Sequence, residues 1–398
     1  MVRHTVRPED FRSLFPILRE KIYLNSCSQG ALAEPVEASL KGFIASWHEQ
    51  GNPWELWCER MEELRAEFAA LIGADRDEVA VTFSASTALN AVASALGPRG
   101  RSKVVISDFD FPTIGHVWLA QAQRGLEVEF AKSAGDRLPL SAFEAVIDRD
   151  TALVSTTHVC YRNGWKNDVK ALAELAHRHG APLLIDAFQS MGTEPFNVRE
   201  LGVDMVVTGT LKYLLGTPGV AFLYVRRDLA EELLPADSGW FAQENPFAYD
   251  VHHLDYATGA RRFQSGSPPV PAVYAALAAL RLLREVGMRA VHAHVESLAS
   301  SLVEEALQRG WELMTPVEPE LRGPLVMLRC RDVQDLLPAL AGRGILCSTR
   351  DGALRTSFHY YNSPSDVFAL IEALDDNGGL MKSGPAGRQE PAIHGRQG

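Results

Sequence analysis

Lys212 occupies an unfavourable place for a charged side chain unless chemistry needs it there. It is the single lysine of "VVTGTLKYLLGTPGVAFLYV", residues 206–225, whose two apolar runs are separated by a Gly-Thr-Pro-Gly turn. Apolar runs bounded by turn residues predict buried strands. A cation held between buried strands costs free energy unless another group uses it. We therefore expect a functional role for Lys212, although a solvated loop lysine is the ordinary alternative.

Several other apolar runs end in polar or aromatic side chains. Open α/β sheets bind ligands beyond the carboxyl ends of their strands, so these residues are candidates to meet Lys212 in one site. The run "VTFSAST" ends in hydroxyl residues directly before a helical segment, and "PLLIDAFQS" contains a carboxylate after four apolar residues. The candidates are Ser84, Ser86 and Thr87; Phe109, Phe111 and His116; His158, Cys160 and Tyr161; and Asp186 with Gln189.

Lys212, Asp186 and Gln189 suit one end of an aromatic cofactor, pyridoxal 5'-phosphate (PLP). The PLP aldehyde needs a lysine to form an imine, and its pyridine nitrogen needs a carboxylate to stay protonated so that the ring can withdraw electrons. Lys212 is the candidate for the imine and for general acid/base catalysis, and Asp186 is the candidate carboxylate. Gln189, three residues past Asp186, is expected to reach the ring hydroxyl.

The phosphate and the ring face of PLP need other partners. Ser86 and Thr87 precede the helical segment "ALNAVASAL", and backbone N–H groups and hydroxyls at the start of a helix bind phosphate. Phe111 is the expected flat partner of the ring, with Phe109 as the alternative. Structural roles compete with these functions, because such hydroxyls cap helices in any case and an aromatic at a strand end often belongs to the core.

Segments with strand and helix periodicity alternate from about residue 35. Short apolar runs such as "KVVISD", "APLLIDA" and "DMVVTG" are separated by helical segments such as "VKALAELAHRHG". This alternation predicts an α/β domain whose mostly parallel sheet lies between helices. A helical stretch, roughly 270–307, then leads to strands of a smaller α+β domain. We expect a segment 1–34 near the small domain and active site, a large domain 35–270, a connecting helix and small domain 271–380, and a disordered tail 381–398.

Composition and charge exclude several classes of protein. The 39 Lys and Arg against 50 Asp and Glu give a formal net charge of −11, which argues against nucleic acid or an anionic membrane as partner. The N-terminus lacks the apolar core of a signal peptide, and the most apolar long stretch, 270–283, is too short to span a bilayer. The five cysteines form no CxxC pair or zinc pattern, so we expect a cytoplasmic protein without a metal site.

From Tyr23 to about Leu374 the sequence resembles the fold-type I PLP enzymes of the class V aminotransferase group, which includes cysteine desulfurases, kynureninases and isopenicillin-epimerase-like proteins. The resemblance is carried by "YLNSCSQG", by Asp186 and Gln189 followed by "TGTLKYLLGTPGVAFLYV", and by "SGWF", "RFQSGSPP" and "LRTSFHYYN". It implies a large PLP-binding domain with a seven-stranded sheet and a homodimer with shared active sites. It also implies further site residues: Arg355 and Asn25 for the substrate, and Thr210, Tyr161, Trp240 and, across the dimer, Ser267 for the cofactor.

The chain departs from parts of this family's pattern. A cysteine desulfurase needs an exposed nucleophilic cysteine on a mobile loop, but Cys347 lies in an apparent strand only eight residues before Arg355. We therefore expect Cys347 to be a core residue. Leu211 stands where the family often has His or Tyr, Tyr161 is nearer the kynureninase pattern, and Gln189 is nearer the desulfurase pattern.

These features predict a PLP-dependent enzyme that acts on an amino acid, and three activities compete. A lyase cleaving a C–C or C–S bond is favoured because Phe111, Tyr161 and Trp240 suggest an aromatic wall for a bulky or planar side chain. A class V aminotransferase or an epimerase is the alternative, because the same cofactor supports transamination and racemisation. A PLP-free binding protein with the same fold is the third possibility.

Overall fold

A computed structural model of the chain describes residues 6–97 and 100–384. Its strands are β1 (Ile22–Tyr23), β2 (Val79–Thr82), β3 (Lys103–Ser107), β4 (Glu127–Ala131), β5 (Thr151–Thr157), β6 (Leu183–Asp186), β7 (Met205–Gly209), β8 (Ala221–Val225), β9 (Leu325–Arg329), β10 (Ile345–Leu346), β11 (Ser348–Arg350) and β12 (Ala353–Ser357). Its helices are α1 (Pro8–Ser13), α2 (Glu34–Gln50), α3 (Trp54–Ile72), α4 (Ala85–Ala95), α5 (Pro112–Ala120), α6 (Leu140–Glu144), α7 (Val169–Arg178), α8 (Val198–Leu201), α9 (Arg227–Glu232), α10 (Val270–Val286), α11 (Met288–Gln308), α12 (Val333–Gly342) and α13 (Pro364–Asp376).

Seven strands form the main sheet, in the order β2-β8-β7-β6-β5-β3-β4. Strand β8 is antiparallel to both of its neighbours, whereas the pairs from β7 to β4 are parallel. Every residue of β2, β6, β7 and β8 is buried, because both faces of the sheet are covered. The predicted α/β fold with a mostly parallel seven-stranded sheet is confirmed.

Neighbouring residues of one strand enter different hydrophobic cores. Leu184 and Val207 pack in a cluster with residues of α4 and α5, whereas Ile185 and Val206 pack in a second cluster with residues of α3, α7 and α10. Side chains alternate between the two faces of a strand. A strand with helices on both faces therefore needs a continuous apolar run, which is the pattern that "PLLI" and "DMVV" show in the sequence.

The predicted helical stretch 270–307 is two helices in the structure. Helix α10 ends at Val286 and α11 begins at Met288. Gly287 between them has a φ of 87°, a backbone conformation that favours glycine. The apolar periodicity resumes directly after this residue, which explains why the sequence suggested one helix. In the part of the chain that the structure describes, no helix, α10 included, has the length and apolar content needed to cross a bilayer.

The N-terminal segment contacts both a small sheet and the Lys212 loop. Strands β11, β12 and β9 form an antiparallel sheet separate from the main one, and β1 pairs in parallel with β10. The Ser357 N–H donates to the Leu24 carbonyl at 3.0 Å. The Gly30 N–H donates to the Leu211 carbonyl, next to Lys212, at 2.7 Å. The first part of the chain therefore joins the small sheet to the loop that carries Lys212.

The last described residues pair with the chain that follows α11. Ser383 forms a bridge with Trp311, and the Gly384 N–H donates to the Gly310 carbonyl at 2.8 Å. These backbone contacts correct the prediction of a disordered tail from residue 381, because residues 381–384 are held by pairing. Residues 385–398, the rest of the predicted tail, lie outside the described residues.

Candidate active site

A cavity of about 340 Å³ lies at the carboxyl ends of β5, β6 and β7. Thr157, Asp186 and Gly209, the last residues of these strands, line it. This is the edge at which an open parallel sheet is expected to bind a ligand, and the volume is typical of a small-molecule site. Seven residues that the sequence analysis names as candidates line the cavity: Ser84, Ser86, Phe111, Tyr161, Asp186, Gln189 and Lys212.

Lys212 lies on the loop that joins β7 to β8. The Leu215 N–H donates to the Lys212 carbonyl at 3.1 Å, and Leu215 has a φ of 60°, which is uncommon for a residue other than glycine. Gly30 packs against this loop so closely that a Cβ added to it would lie 2.4 Å from the Lys212 carbonyl oxygen. Tertiary contacts therefore hold the Lys212 loop, in which Leu215 has a conformation that the local sequence alone does not favour.

Two further residues hold the same loop. The Thr210 hydroxyl donates to the Thr217 carbonyl at 2.7 Å, and Thr210 is fully buried and does not line the cavity. A Cβ added to Gly192 would lie 2.3 Å from the Tyr213 carbonyl oxygen. In this structure Thr210 therefore closes the loop rather than facing the predicted cofactor site. Gly192, like Gly30, is a positioning residue that sequence reasoning missed.

The Lys212 amine lies among aromatic rings. Its Nζ is 5.6 Å from the ring centroid of Phe111 and 4.6 Å from that of Phe188. Burial lowers the pKa of Lys212 from 10.5 to about 8, against the opposing effect of the Asp186 charge. The neutral amine is the nucleophilic form of lysine, and a lowered pKa makes it accessible near physiological pH. Lys212 is thus suited to react with a carbonyl group.

Asp186 and Gln189 present unpaired acceptors at the cavity. Asp186 is 5% exposed, and the Phe188 N–H donates to its Oδ1 at 2.9 Å, which leaves Oδ2 without a partner among the described residues. Burial raises the pKa of Asp186 to about 6. Gln189 donates from Nε2 to the Cys27 carbonyl at 3.0 Å, while its buried Oε1 has no partner in the same part of the chain. The protonated ring nitrogen and the ring hydroxyl of PLP are donors that fit these two acceptors.

Hydroxyl groups gather at the start of two helices beside the cavity. Ser84 caps α4 by accepting from the Thr87 N–H at 3.1 Å, and the two hydroxyls share a hydrogen bond at 2.9 Å. Ser86 and Thr113, which lies in the first turn of α5, share a hydrogen bond at 3.3 Å and both line the cavity, whereas Thr87 does not. Hydroxyls and backbone N–H groups at helix starts suit a phosphate. Thr113 was missed, although the proline before it is a helix-start signal.

The structure separates the two aromatic candidates for the cofactor ring. Phe109 is 4% exposed and packs in the core, whereas Phe111 is 41% exposed and lines the cavity. Tyr161 packs edge to face against Phe111, with ring centroids 5.0 Å apart. Phe83 and Phe188 add two more aromatic rings to the cavity lining. Of the two predicted ring partners, only Phe111 is therefore exposed on the cavity.

Arg355 lies in β12 and is only 3% exposed. Its guanidinium donates to the Ser28 hydroxyl at 2.7 Å, to the Ser348 hydroxyl at 3.1 Å and to the Tyr161 carbonyl at 3.0 Å. All of these partners are neutral, so among the described residues no carboxylate neutralises it. Its charge also contributes to the lowered pKa of Lys212. A buried guanidinium that is positioned but lacks a counter-ion is suited to bind a carboxylate.

Asn25 and Asn362, from the first and last of the family-like segments, do not line the cavity. Asn25 forms a backbone bridge with Ser357, two residues after Arg355 in the chain. Asn362 donates from Nδ2 to the Tyr23 carbonyl at 3.0 Å and accepts from the His359 N–H at 2.8 Å. The amide of Asn362 is thus engaged within the fold, whereas Asn25 stays a predicted substrate residue.

Trp240 and Ser267 lie elsewhere in this chain. Trp240 donates from Nε1 to the Pro246 carbonyl at 2.6 Å, and its ring packs against Trp54 with centroids 5.8 Å apart. Ser267 is exposed on the segment that leads into α10. Neither residue lines the cavity. Within one chain, therefore, Trp240 is not part of the predicted aromatic wall, because its indole is engaged in a separate aromatic cluster.

Cys347 is a poor nucleophile in this structure. It lies between β10 and β11 and is only partly exposed. Burial raises the pKa of its thiol to about 12, and the thiolate is the reactive form of cysteine. The structure therefore supports the expectation that Cys347 does not act as the nucleophile of a desulfurase.

The sequence profile of class V aminotransferases matches residues 46–370 of this chain. An uncharacterized aminotransferase of Bacillus subtilis (strain 168), YcbU, is 41% identical over 92% of this chain and 97% of that protein. A kynureninase of Bacillus cereus is 29% identical over 92% of this chain and 90% of that protein. The solved apo structure of a cysteine desulfurase from Thermococcus onnurineus NA1 has a TM-score of 0.84 at 23% identity, covering 94% of this chain and 99% of that chain. The chain is therefore a member of the class V aminotransferase family, an enzyme with the predicted fold and with PLP as its cofactor.

Proposed function

We propose that this enzyme is a lyase that cleaves a C–C or C–S bond in the side chain of an amino acid. The proposal is carried by two different proton-handling side chains, Lys212 and Tyr161, on one cavity with aromatic lining. The pKa of Lys212 is lowered to about 8, whereas burial raises the pKa of Tyr161 above its ordinary 10.0. A pKa of about 8 leaves a part of the Lys212 population neutral and able to accept a proton, and this part grows as the pH rises, whereas the Tyr161 hydroxyl keeps a proton to donate.

The residues of the cavity have distinct proposed roles toward the cofactor. When bound, PLP supplies an electron sink that weakens the bonds at the substrate Cα. Asp186 and Gln189 hold the ring nitrogen and the ring hydroxyl through their unpaired oxygens. Phe111 packs on the ring face, and Ser86 with the start of α4 holds the phosphate.

The substrate is anchored beside the two proton-handling groups. Arg355 binds the α-carboxylate, because its guanidinium is positioned by neutral partners alone among the described residues. Lys212 removes and returns the proton at Cα. Tyr161 protonates the leaving group. Since Arg355 donates to the Tyr161 carbonyl at 3.0 Å, the carboxylate anchor and the proton donor are linked by one contact.

A class V aminotransferase is the second candidate. The relative that is 41% identical is named an aminotransferase, and Lys212 can move a proton in either reaction. Transamination needs no acid for a departing side-chain group, so Tyr161 would then serve only as a wall of the cavity. The role of the Tyr161 hydroxyl therefore separates the two proposals.

Substrate profiling of three proteins tests the proposal. The holoenzyme, Tyr161→Phe and Lys212→Ala are incubated with a panel of amino acids, with and without pyruvate. A lyase consumes its substrate without pyruvate, and Tyr161→Phe lowers this turnover by about 100-fold or more while exchange of the Cα proton in D₂O persists. Lys212→Ala should lose both the turnover and the exchange of the Cα proton. If consumption of the amino acid requires an added 2-oxo acid and returns its carbon skeleton as a keto acid, the lyase proposal is wrong and the aminotransferase proposal is supported.

We also propose a homodimer in which each cavity is completed by the other subunit. The segment after Trp240 exposes apolar side chains to solvent, and exposed apolar patches mark interaction sites. These side chains are Phe247, Tyr249, Val251 and Leu254. Ser267 is exposed and outside its own cavity, which is consistent with its predicted contact across the dimer. Sedimentation equilibrium should give a dimer, and a cofactor-saturated monomer would refute this proposal.

We further propose that the enzyme works in the cytoplasm on a small molecule. Its cysteines are free, as is usual in a reducing compartment. Its formal net charge of −11 does not favour nucleic acid or an anionic membrane as partner. Fractionation of cells that express a tagged chain would test the location, and recovery in the membrane or secreted fraction would contradict it.

A further inference from the structure

Arg350 and Arg355 lie on the same face of a β-hairpin. In the pairing of β11 with β12, Ser348 is opposite Arg355 and Arg350 is opposite Ala353. Residues two apart in a strand share a face, so Arg350 is the diagonal neighbour of Arg355. Diagonal neighbours on one face are separated by roughly 7–8 Å, a distance that long side chains can bridge. One ligand with two anionic groups can therefore contact both arginines.

Arg350 is exposed and does not line the cavity itself, but its side chain lies against a residue that does. Its guanidinium carbon lies 5.6 Å from the ring centroid of Tyr161, which lines the cavity. The charge of Arg350 also contributes to the lowered pKa of Lys212, so the guanidinium lies within electrostatic reach of the amine. Arg350 thus stands beside the site that Arg355 and Lys212 define.

The hairpin turn holds Arg350 in this position. Asp351 and Gly352 follow it with φ values of 51° and 73°, and two successive positive φ angles are typical of a tight two-residue hairpin turn. The Arg162 guanidinium donates to Asp351 Oδ2 at 2.7 Å. This ion pair joins the hairpin turn to the loop that carries Tyr161, which keeps Arg350 and Tyr161 adjacent.

Neither arginine has an acidic partner among the described residues. Arg355 donates to two hydroxyls and one carbonyl, and the acid next to Arg350 in the chain, Asp351, pairs with Arg162 instead. Two cations on one face repel each other, and an anion placed between them removes that cost. The hairpin therefore offers a site for two negative charges.

We infer that Arg350 is a specificity-determining residue that binds a second anionic group of the substrate while Arg355 binds the α-carboxylate. The substrate class is then an amino acid with an acidic group in its side chain. The inference rests on one part of the proposed function, which is the binding of the substrate α-carboxylate by Arg355. It holds for a lyase and for an aminotransferase alike.

Binding of two matched carboxylates to the holoenzyme, measured by isothermal titration calorimetry, tests this inference. Glutarate and valerate are five-carbon acids that differ by one carboxylate. We expect wild-type protein to bind glutarate about 10- to 100-fold more tightly, the usual effect of one hydrogen-bonded charge pair. Arg350→Gln should lose this preference while its affinity for valerate is unchanged. Arg350→Lys should keep part of the preference for glutarate, because the positive charge remains but the planar guanidinium with its paired donors is lost.

Two further variants make the result specific. Arg289→Gln removes an exposed arginine of α11 and should keep the wild-type preference. Arg355→Gln should weaken the binding of both glutarate and valerate. If it weakens the binding of neither, the carboxylate site of the proposed function is wrong, whereas the role of Arg350 is not refuted by that result. Equal affinities of wild-type protein for the two probes, no measurable glutarate binding, or an unchanged preference in Arg350→Gln would each overturn the inference.

Discussion

Replacement of Lys212 by methionine should stabilise the cofactor-free protein. Burial lowers the pKa of Lys212 from 10.5 to about 8, so the folded chain holds the charged amine at a cost. Each pH unit of such a difference is worth about 1.4 kcal/mol, which gives about 3 kcal/mol for Lys212 at neutral pH. Methionine has a similar length and no charge. For a chain of 398 residues, the gain corresponds to a rise of about 4 °C in Tm.

The size of this gain should depend on pH in a defined direction. At pH 7 the amine is protonated in both the folded and the unfolded protein, so the full cost of the buried charge is present. Between about 8 and 10.5 the unfolded chain binds more protons at Lys212 than the folded chain, so wild-type stability rises with pH. The difference between the variant and the wild type therefore shrinks across this window and vanishes above it.

Differential scanning fluorimetry of the apoproteins at pH 7 and pH 10 measures both effects. Lys170→Met is the matched control, because Lys170 is exposed on α7 and surface substitutions usually change stability by less than about 0.5 kcal/mol. Its Tm should follow the wild type at both pH values. The reasoning is refuted if Lys212→Met is no more stable than the wild type at pH 7, or if its advantage is the same at pH 10.

Other substitutions probe the remaining parts of the site. Asp186→Asn should raise the Tm of the apoprotein at pH 7 but not at pH 4, because the cost of the buried carboxylate grows as pH rises from 3.8 to about 6; equal gains at both pH values would contradict this. Gly30→Ala should weaken PLP binding, measured by cofactor absorbance, because the added Cβ would clash with the Lys212 carbonyl oxygen. Gly42→Ala is the control and should leave PLP binding unchanged, because a Cβ at Gly42 meets no other atom. Cys347→Ser should keep activity within about threefold, since that thiol is held protonated by burial; a loss of turnover with intact PLP binding would show the opposite.

The sequence was sufficient for those site residues that follow directly from strand ends. Asp186 ends β6, and Lys212 follows β7 by three residues, so the order of apolar runs placed both at one edge of a parallel sheet. Ser86 was found in the same way, since a helix start directly after a strand is visible as hydroxyl residues between two apolar patterns. These predictions needed only local periodicity and the rule that parallel strands present their carboxyl ends together.

Residues that act through long-range contacts were not visible in the sequence. Gly30 and Gly192 hold the Lys212 loop because backbone atoms approach them closely, and nothing in their own neighbourhoods of the sequence signals that approach. Arg350 is a similar case, since its position beside Tyr161 depends on the hairpin turn and on the Arg162 ion pair. The packing of Trp240 with Trp54 was not visible either, because it too joins residues that are distant in the sequence.

The charges that make the site reactive are also charges that the cofactor-free fold tolerates poorly. Asp186 and Lys212 each favour the charged form of the other, yet burial dominates the pKa of both. Arg355 adds a third buried charge, and its sign matches that of Lys212. A ligand of opposite charge that binds such a group offsets the cost of burying it and so stabilises the folded protein. A ring that carries a protonated nitrogen fits Asp186, and a carboxylate fits Arg355, so cofactor and substrate should each raise the Tm of the protein by satisfying a different one of these groups.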